Sequence, residues 1–175
     1  VYVFNGRLPT EKAHGLQITK MCEAFGSQVE VELAVPYRSN SIKEDVFGYY
    51  GVKKVFKVKK LWSIDPMSVK WFPEKPAFLI QSLTSSVSII FYLLANRYPR
   101  DTIFYARDYV SLFLLVILGF NSVAEIHDYR FSKPRKTFNL IVQRLRKIIV
   151  NSEGTENLLK SHYEIKGDKI MVAPN

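Results

Sequence analysis

A single cysteine, Cys22, in 175 residues leaves no intramolecular disulfide and no cysteine metal cluster to be made. It stands among apolar residues at helical spacing, which reads as a core side chain rather than a reactive thiol, and a reducing, cytoplasmic compartment is expected. Fixed-spacing motifs are equally scarce. No G-x-G-x-x-G occurs, since Gly6 and Gly15 stand nine apart, and this disfavours a nicotinamide or flavin dehydrogenase. P-loop, G-x-S-x-G elbow and H-E-x-x-H are all absent. Long hydrophobic runs are missing too. Phe78 to Ala95 is broken by Gln81, Ser82, Thr84, Ser85, Ser86 and Ser88, and Val110 to Phe120 is about half the length of a membrane span. Both read as helices sandwiched in an α/β protein. The first residues alternate as a strand and lack the basic-then-apolar layout of a secretory signal. There is no initiator Met, and the end, Met171-Val172-Ala173-Pro174-Asn175, reads as unfinished, so a fragment of a longer protein is expected.

Acid is in short supply. Asp and Glu number 16 against 25 Lys and Arg, a formal net charge of +9 that suits an anionic partner. The basic clusters are Lys53-Lys54 with Lys57 and Lys59-Lys60, Arg130 to Lys136, and Arg144 to Lys147. None sits in a recognisable nucleic-acid module, so no nucleic acid is expected. Trp62, Trp71 and Phe72 accompany the first cluster, which favours an anionic membrane surface. The hydrophobic fraction of 47% and charged fraction of 23% are those of a folded chain long enough for one well-buried domain, 1–175.

The periodicity alternates between strand and helix. Val1 to Phe4 is an apolar strand, and after a polar loop Ile18, Met21, Cys22 and Phe25 mark one face of a helix. Further strands are expected at Val29 to Val35, Gly51 to Val58, Asp101 to Ala106, Ser122 to Asp128, Ile148 to Asn151 and Lys169 to Ala173. Helices are expected at Ala77 to Asn96, Val110 to Leu118, Pro134 to Lys147 and after Ser152, which is placed to cap. Tyr37 to Tyr50 reads as loop or short helix, and Lys59 to Pro76 as an irregular surface excursion. The implied fold is α/β, a Rossmann-like three-layer sandwich with a mostly parallel sheet.

In such a sheet the loops after successive strands gather at one end, where ligands bind. That end collects Asn5 to Gly15, Arg107-Asp108, His127-Asp128-Tyr129-Arg130 and Ser152-Glu153. Gly15, near the start of the first helix, has no side chain to keep a ligand off the backbone N–H groups, and His14 stands beside it. His127 can bond a substrate hydroxyl or move a proton. Arg107 can clamp a phosphate or carboxylate, or pair with Asp108. Asp128 and Glu153 can orient His127 and cap a helix.

The opening N-G-R-L-P-T-E-K-A-H-G-L-Q-I-T-K-M-C-E-A-F resembles the first strand, loop and helix of family-4 (GT-B fold) glycosyltransferases. Ala124-Glu125-Ile126-His127-Asp128 resembles that family's strand ending in a histidine, and Ile148 to Asn175 its approach to the interdomain linker. The resemblance implies the N-terminal, acceptor-binding half of an enzyme that moves a sugar from a nucleotide-sugar donor to a glycan, lipid or other hydroxyl acceptor, with retention. It implies His127 near the transferred sugar as the catalytic residue, and His14, Gly15, Arg107 and Asp128 as donor- or substrate-binding. His14 replaces one of two glycines usual in the family's loop. The donor-phosphate Arg/Lys pair and paired glutamates of a C-terminal domain have no counterpart here, so the isolated chain is expected not to turn over. No cofactor or metal is implied beyond the nucleotide-sugar co-substrate; a peripheral place at the inner face of the membrane is expected from the basic clusters and their aromatic neighbours. A non-catalytic basic membrane-surface or anion-binding α/β module is the alternative.

Overall fold

A computed structural model describes residues 1–69, 71–127, 129 and 133–174. The chain divides into two compact units, Val1–Arg97 and Tyr98–Asn175. Both are α/β with parallel strands throughout, the class that the alternating pattern predicts.

In the first unit β1 (Tyr2–Val3), β2 (Glu32–Pro36) and β3 (Lys57–Leu61) form a parallel sheet with β2 in the middle. Tyr2 is in register with Leu33 and Val3 with Ala34, and Leu33 is in register with Val58 on the other side. Leu33, Ala34 and Val35 are fully buried, as a strand covered on both faces requires. The helix α1 (Ala13–Gly26) returns the chain from β1 to β2. Its buried stripe is Gly15, Ile18, Thr19 and Cys22, one step round from the predicted one, so Phe25 is exposed. Thr19 joins the stripe because its hydroxyl donates to the Gly15 carbonyl at 2.9 Å, which satisfies it without water.

The third strand begins later than the alternation suggests. Asp45 caps the short helix α2 (Val46–Tyr50) by accepting from the Gly48 N–H at 2.6 Å. Gly51 ends it at φ +60°, a left-handed stop that turns the chain, so 51–56 are a connection rather than a strand. The lysines expected in an irregular excursion are thus in β3. Residues 62–69, 71 and 72 do remain outside strands and α-helices, and they precede α3 (Glu74–Ala95), the longest helix of the described residues.

The second unit has a parallel sheet in the order β4 (Phe104–Ala106), β5 (Ser122–Ile126), β6 (Lys147–Val150), β7 (Ile170–Val172). Between them run α4 (Tyr109–Ile117), α5 (Lys136–Arg144) and α6 (Glu153–His162). Asp108 caps α4 by accepting from the Ser111 N–H at 2.9 Å, and Ser152 caps α6 by accepting from the Thr155 N–H at 3.2 Å. Gly119, at φ +77°, turns the chain after α4. The helix α5 is shorter than predicted because Leu145 is already extended and Lys147 is in register with Val123. Phe138, Ile141 and Val142 of α5 are buried with Ile148 and Val150.

Candidate functional site

Register builds the site in the second unit. In a strand, residues two apart share a face. Ala106 of β4 is in register with Ala124 of β5, so the residues flanking this pair, Tyr105 and Arg107 on one strand and Glu125 on the other, are neighbours at the carboxyl ends. His127 follows two residues after Glu125 and reaches the same carboxylate.

All three donors converge on Glu125. Tyr105 donates its hydroxyl to Oε2 at 2.6 Å. The Arg107 guanidinium and the His127 Nε2 both bond Oε1 at close range. An ionised carboxylate only accepts, so Nε2 is the donor in this pair. Burial works against the charge of Glu125, but the hydrogen bonds from Arg107, Tyr105 and His127, with the Arg107 charge, outweigh it and hold its carboxyl below the usual glutamate range. The side chains grade outward: Glu125 is 6% exposed, Arg107 14% and His127 27%. A buried anion thus fixes a cation and an imidazole that reach towards solvent. The arrangement can hold a histidine in one tautomer while it bonds a substrate hydroxyl, with a guanidinium beside it for an anionic group.

Arg107 therefore pairs with Glu125, not with its neighbour Asp108. The Asp108 carboxyl is turned to its capping role; its Oδ2 is buried without a partner among the described residues, and burial raises it above the usual aspartate range despite bonds from Ser111. Asp128 lies outside the described residues. Tyr129, two beyond His127, is buried with its hydroxyl 2.5 Å from that of Tyr163, and burial followed by this bond raises its phenol. Tyr163 also accepts from the Arg135 N–H at 3.0 Å, which fixes Tyr129 from the α5 and α6 side. His162 lies at the end of α6 with its ring against Tyr129. A shallow cleft of about 650 Å³, lined in part by Arg135, Lys136, Gln143 and His162, is also in this unit and does not include Arg107 or His127.

His14 and Gly15 belong to the first unit, in the opening turn of α1. The His14 ring is half-buried against Phe4, with ring centroids 5.4 Å apart. The space left by the missing Cβ of Gly15 is taken: a Cβ there would stand 2.1 Å from the Tyr50 hydroxyl and 2.5 Å from Thr10 Cγ2. That hydroxyl accepts from the Thr10 N–H and donates to the Thr10 carbonyl, both at 2.7 Å, and so clamps the loop to α2. The Gly15 N–H bonds the Lys12 carbonyl at 2.9 Å. Close packing accounts for this glycine. After β1, Asn5 accepts from Gln81 Nε2 at 2.9 Å and donates to the Ser82 hydroxyl at 3.3 Å, which ties the loop to α3. Among the described residues no three His, Cys, Asp or Glu side chains are grouped to hold a metal ion.

Comparison with solved structures decides the fold. Apo UGT2 of Phytolacca americana matches with a TM-score of 0.55 at 11% identity, over 99% of this chain and 50% of that one. The fold is that of a GT-B half-domain. The same enzyme complexed with UDP-2-fluoro-glucose and pterostilbene matches at 0.54, with 11% identity over 99% of this chain and 51% of that one. A Polygonum tinctorium UDP-glucosyltransferase capable of glucosylating indoxyl, in complex with 3,4-dichloroaniline, matches at 0.55, with 12% identity over 99% and 51%. The chain therefore spans about half the length of the solved structures it resembles. No protein-family model and no curated protein sequence matches it.

Sequence reasoning placed His127 and Arg107 at strand ends but passed over Glu125 and Tyr105. The signal for Glu125 was present: a lone carboxylate in a run of buried strand residues, Ser122–Ile126, needs a cation within reach. The run of alternate aromatic and basic residues at Tyr105 and Arg107 carried no such mark.

Proposed function

We propose that the chain is the acceptor-side half of a nucleotide-sugar-dependent glycosyltransferase of the family-4 kind, acting with retention on a glycan, lipid or other hydroxyl acceptor. The observation that carries this reading is the Glu125-centred cluster at the ends of β4 and β5 in a GT-B half-domain fold. His127 bonds the transferred sugar, and Glu125 holds its ring in one tautomer. Arg107 supplies fixed positive charge beside the sugar. Asp128 is assigned to the same group from its place after His127. His14 lines the donor side at the start of α1, and Gly15 admits the Tyr50 and Thr10 packing that fixes it. A second domain supplies the groups that receive the leaving nucleoside diphosphate, with no metal needed, so the isolated chain does not turn over.

The test is His127→Ala in the full-length enzyme with its nucleotide-sugar donor. Transfer is expected to fall by about 10²-fold or more in kcat, the range for loss of a positioned group acting in the transition state. An unchanged transfer rate would remove His127 from the catalytic role.

A further inference from the structure

The helix α3 is apolar on both sides. Its covered face holds Ala77, Ile89 and Leu93 together with the polar Gln81, Ser82, Ser85 and Ser86, whereas Phe78, Leu79, Leu83, Val87, Phe91 and Leu94 are 49% to 69% exposed. Leu79, Leu83, Val87, Phe91 and Leu94 recur at helical spacing, so they form one stripe. Monomeric soluble proteins rarely leave so continuous an apolar surface in water. The stripe extends past the helix. Trp62 and Trp71 are 65% and 82% exposed, and Met67 and Ile64 stand out beside them. The Ile64 N–H donates to the Thr84 hydroxyl at 3.1 Å, which fixes this segment against the middle of α3.

Charge surrounds the stripe and is missing from it. Between Lys75 and Arg97 the chain carries no charged residue, and the one acid of the helix, Glu74, sits in its first turn. Lys59 and Lys60 of β3 are exposed, and Lys59 Nζ lies 5.5 Å over the ring of Tyr92 on α3. An apolar stripe with tryptophans and a cationic border is the pattern of a helix lying in the headgroup region of a bilayer that contains anionic lipid. By length and composition α3 could cross a membrane. Crossing would put Gln81, Ser82, Ser85 and Ser86 into lipid and break the bonds that Asn5 accepts from Gln81 and donates to Ser82, so the helix lies on the surface. A second copy fits less well. Two α3 helices packed antiparallel would set Lys75 of one against Arg97 of the other, and packed parallel would set each against itself.

We propose that the exposed face of α3, with Trp62 and Trp71, is a docking surface for an anionic lipid bilayer. This rests on the burial pattern of the first unit and not on the transferase reading, since partition to vesicles is measured without sugar transfer. The test is sedimentation of the chain with phosphatidylcholine vesicles, with and without phosphatidylglycerol. Pelleting with the anionic vesicles is expected. Lys59→Ala with Lys60→Ala should weaken it about 30-fold, on the order of fivefold for each cation near the surface. Leu83→Glu with Phe91→Glu should abolish it while the circular dichroism and melting temperature stay as in the wild type, since both side chains are exposed. The only two tryptophans are Trp62 and Trp71, so brominated lipid should quench the emission of the unmodified chain. This readout stands even if the glutamate variant fails to fold. Absence of pelleting with either vesicle overturns the proposal, as does undiminished binding of the folded glutamate variant. A dimer in light scattering that the glutamates dissolve, with no vesicle binding, gives the face to a second copy instead.

Discussion

Replacing Glu125 by Gln keeps the shape of the side chain and removes its charge. In the native strand the carboxylate accepts from three donors, Tyr105, Arg107 and His127. A glutamine accepts through one oxygen and presents an NH₂ where the second stood, so one donor must face another. Hydrogen bonds to charged groups contribute about 1.5–3 kcal/mol each, and breaking a buried ion pair by removing one partner costs about 3–5 kcal/mol. Arg107 keeps some contact with solvent, so the lower end, about 3 kcal/mol, is expected. For a chain of this length that is a fall of about 6–12 °C in Tm. The pH dependence identifies the cause. Glu125 has a folded carboxyl below its unfolded value, so its stabilisation is fully present above the unfolded value of about 4.3 and is lost as pH falls through the folded one. Urea unfolding of wild type and E125Q, from pH 7 stepwise to pH 3, should show the gap intact at neutral pH and closing in acid. Equal stability at pH 7, or a gap that persists unchanged in acid, would refute the charge argument.

Two further substitutions test the packing and capping arguments. Gly15→Ala places a methyl against the Tyr50 hydroxyl and should cost about 2 kcal/mol through the two Thr10 bonds it displaces, measured by urea unfolding; the cost should be smaller in a Tyr50→Phe background. A Gly15→Ala chain as stable as wild type would free this glycine from its packing role. Asp108 has a folded carboxyl above its unfolded value, so its charge lowers stability above that folded value and the loss is recovered as pH falls through it. Asn keeps the cap without the buried charge, so Asp108→Asn should match or exceed wild type in Tm at pH 7, whereas Asp108→Ala should lose about 1 kcal/mol.

Much of the architecture was legible because apolar runs and their polar ends are local. Phe104-Tyr105-Ala106 followed by Arg107, and Val123 to Ile126 followed by His127, announce both the strands and their polar ends. What was not legible depends on pairing. That Glu125 meets Arg107 follows from the register of Ala106 with Ala124, which no single strand displays. The position of β3 depended on one left-handed residue, Gly51, which overrode the alternation before Lys57. The periodicity of α3 gave a helix sandwiched in the fold, whereas Phe78, Leu79, Leu83, Val87, Phe91 and Leu94 stay exposed, because which faces of a helix are covered depends on neighbours distant in sequence. In α1 the hydroxyl of Thr19 and the hydrogen of Gly15 fill the buried stripe where larger residues were expected, since a close neighbour there, Tyr50, takes the volume.

The lysines of β3 have a consequence for solubility. Among the described residues β3 pairs only with β2, so its other side presents unpaired main-chain donors and acceptors to any extended segment that comes alongside. Lys59 and Lys60, with Lys57 held by Glu30 at 2.6 Å, set positive charge against the approach of a second copy of the same strand, although an acidic segment would meet no such barrier. The barrier this edge sets against cross-strand pairing is therefore electrostatic. It weakens as salt screens the charge or as acetylation removes it.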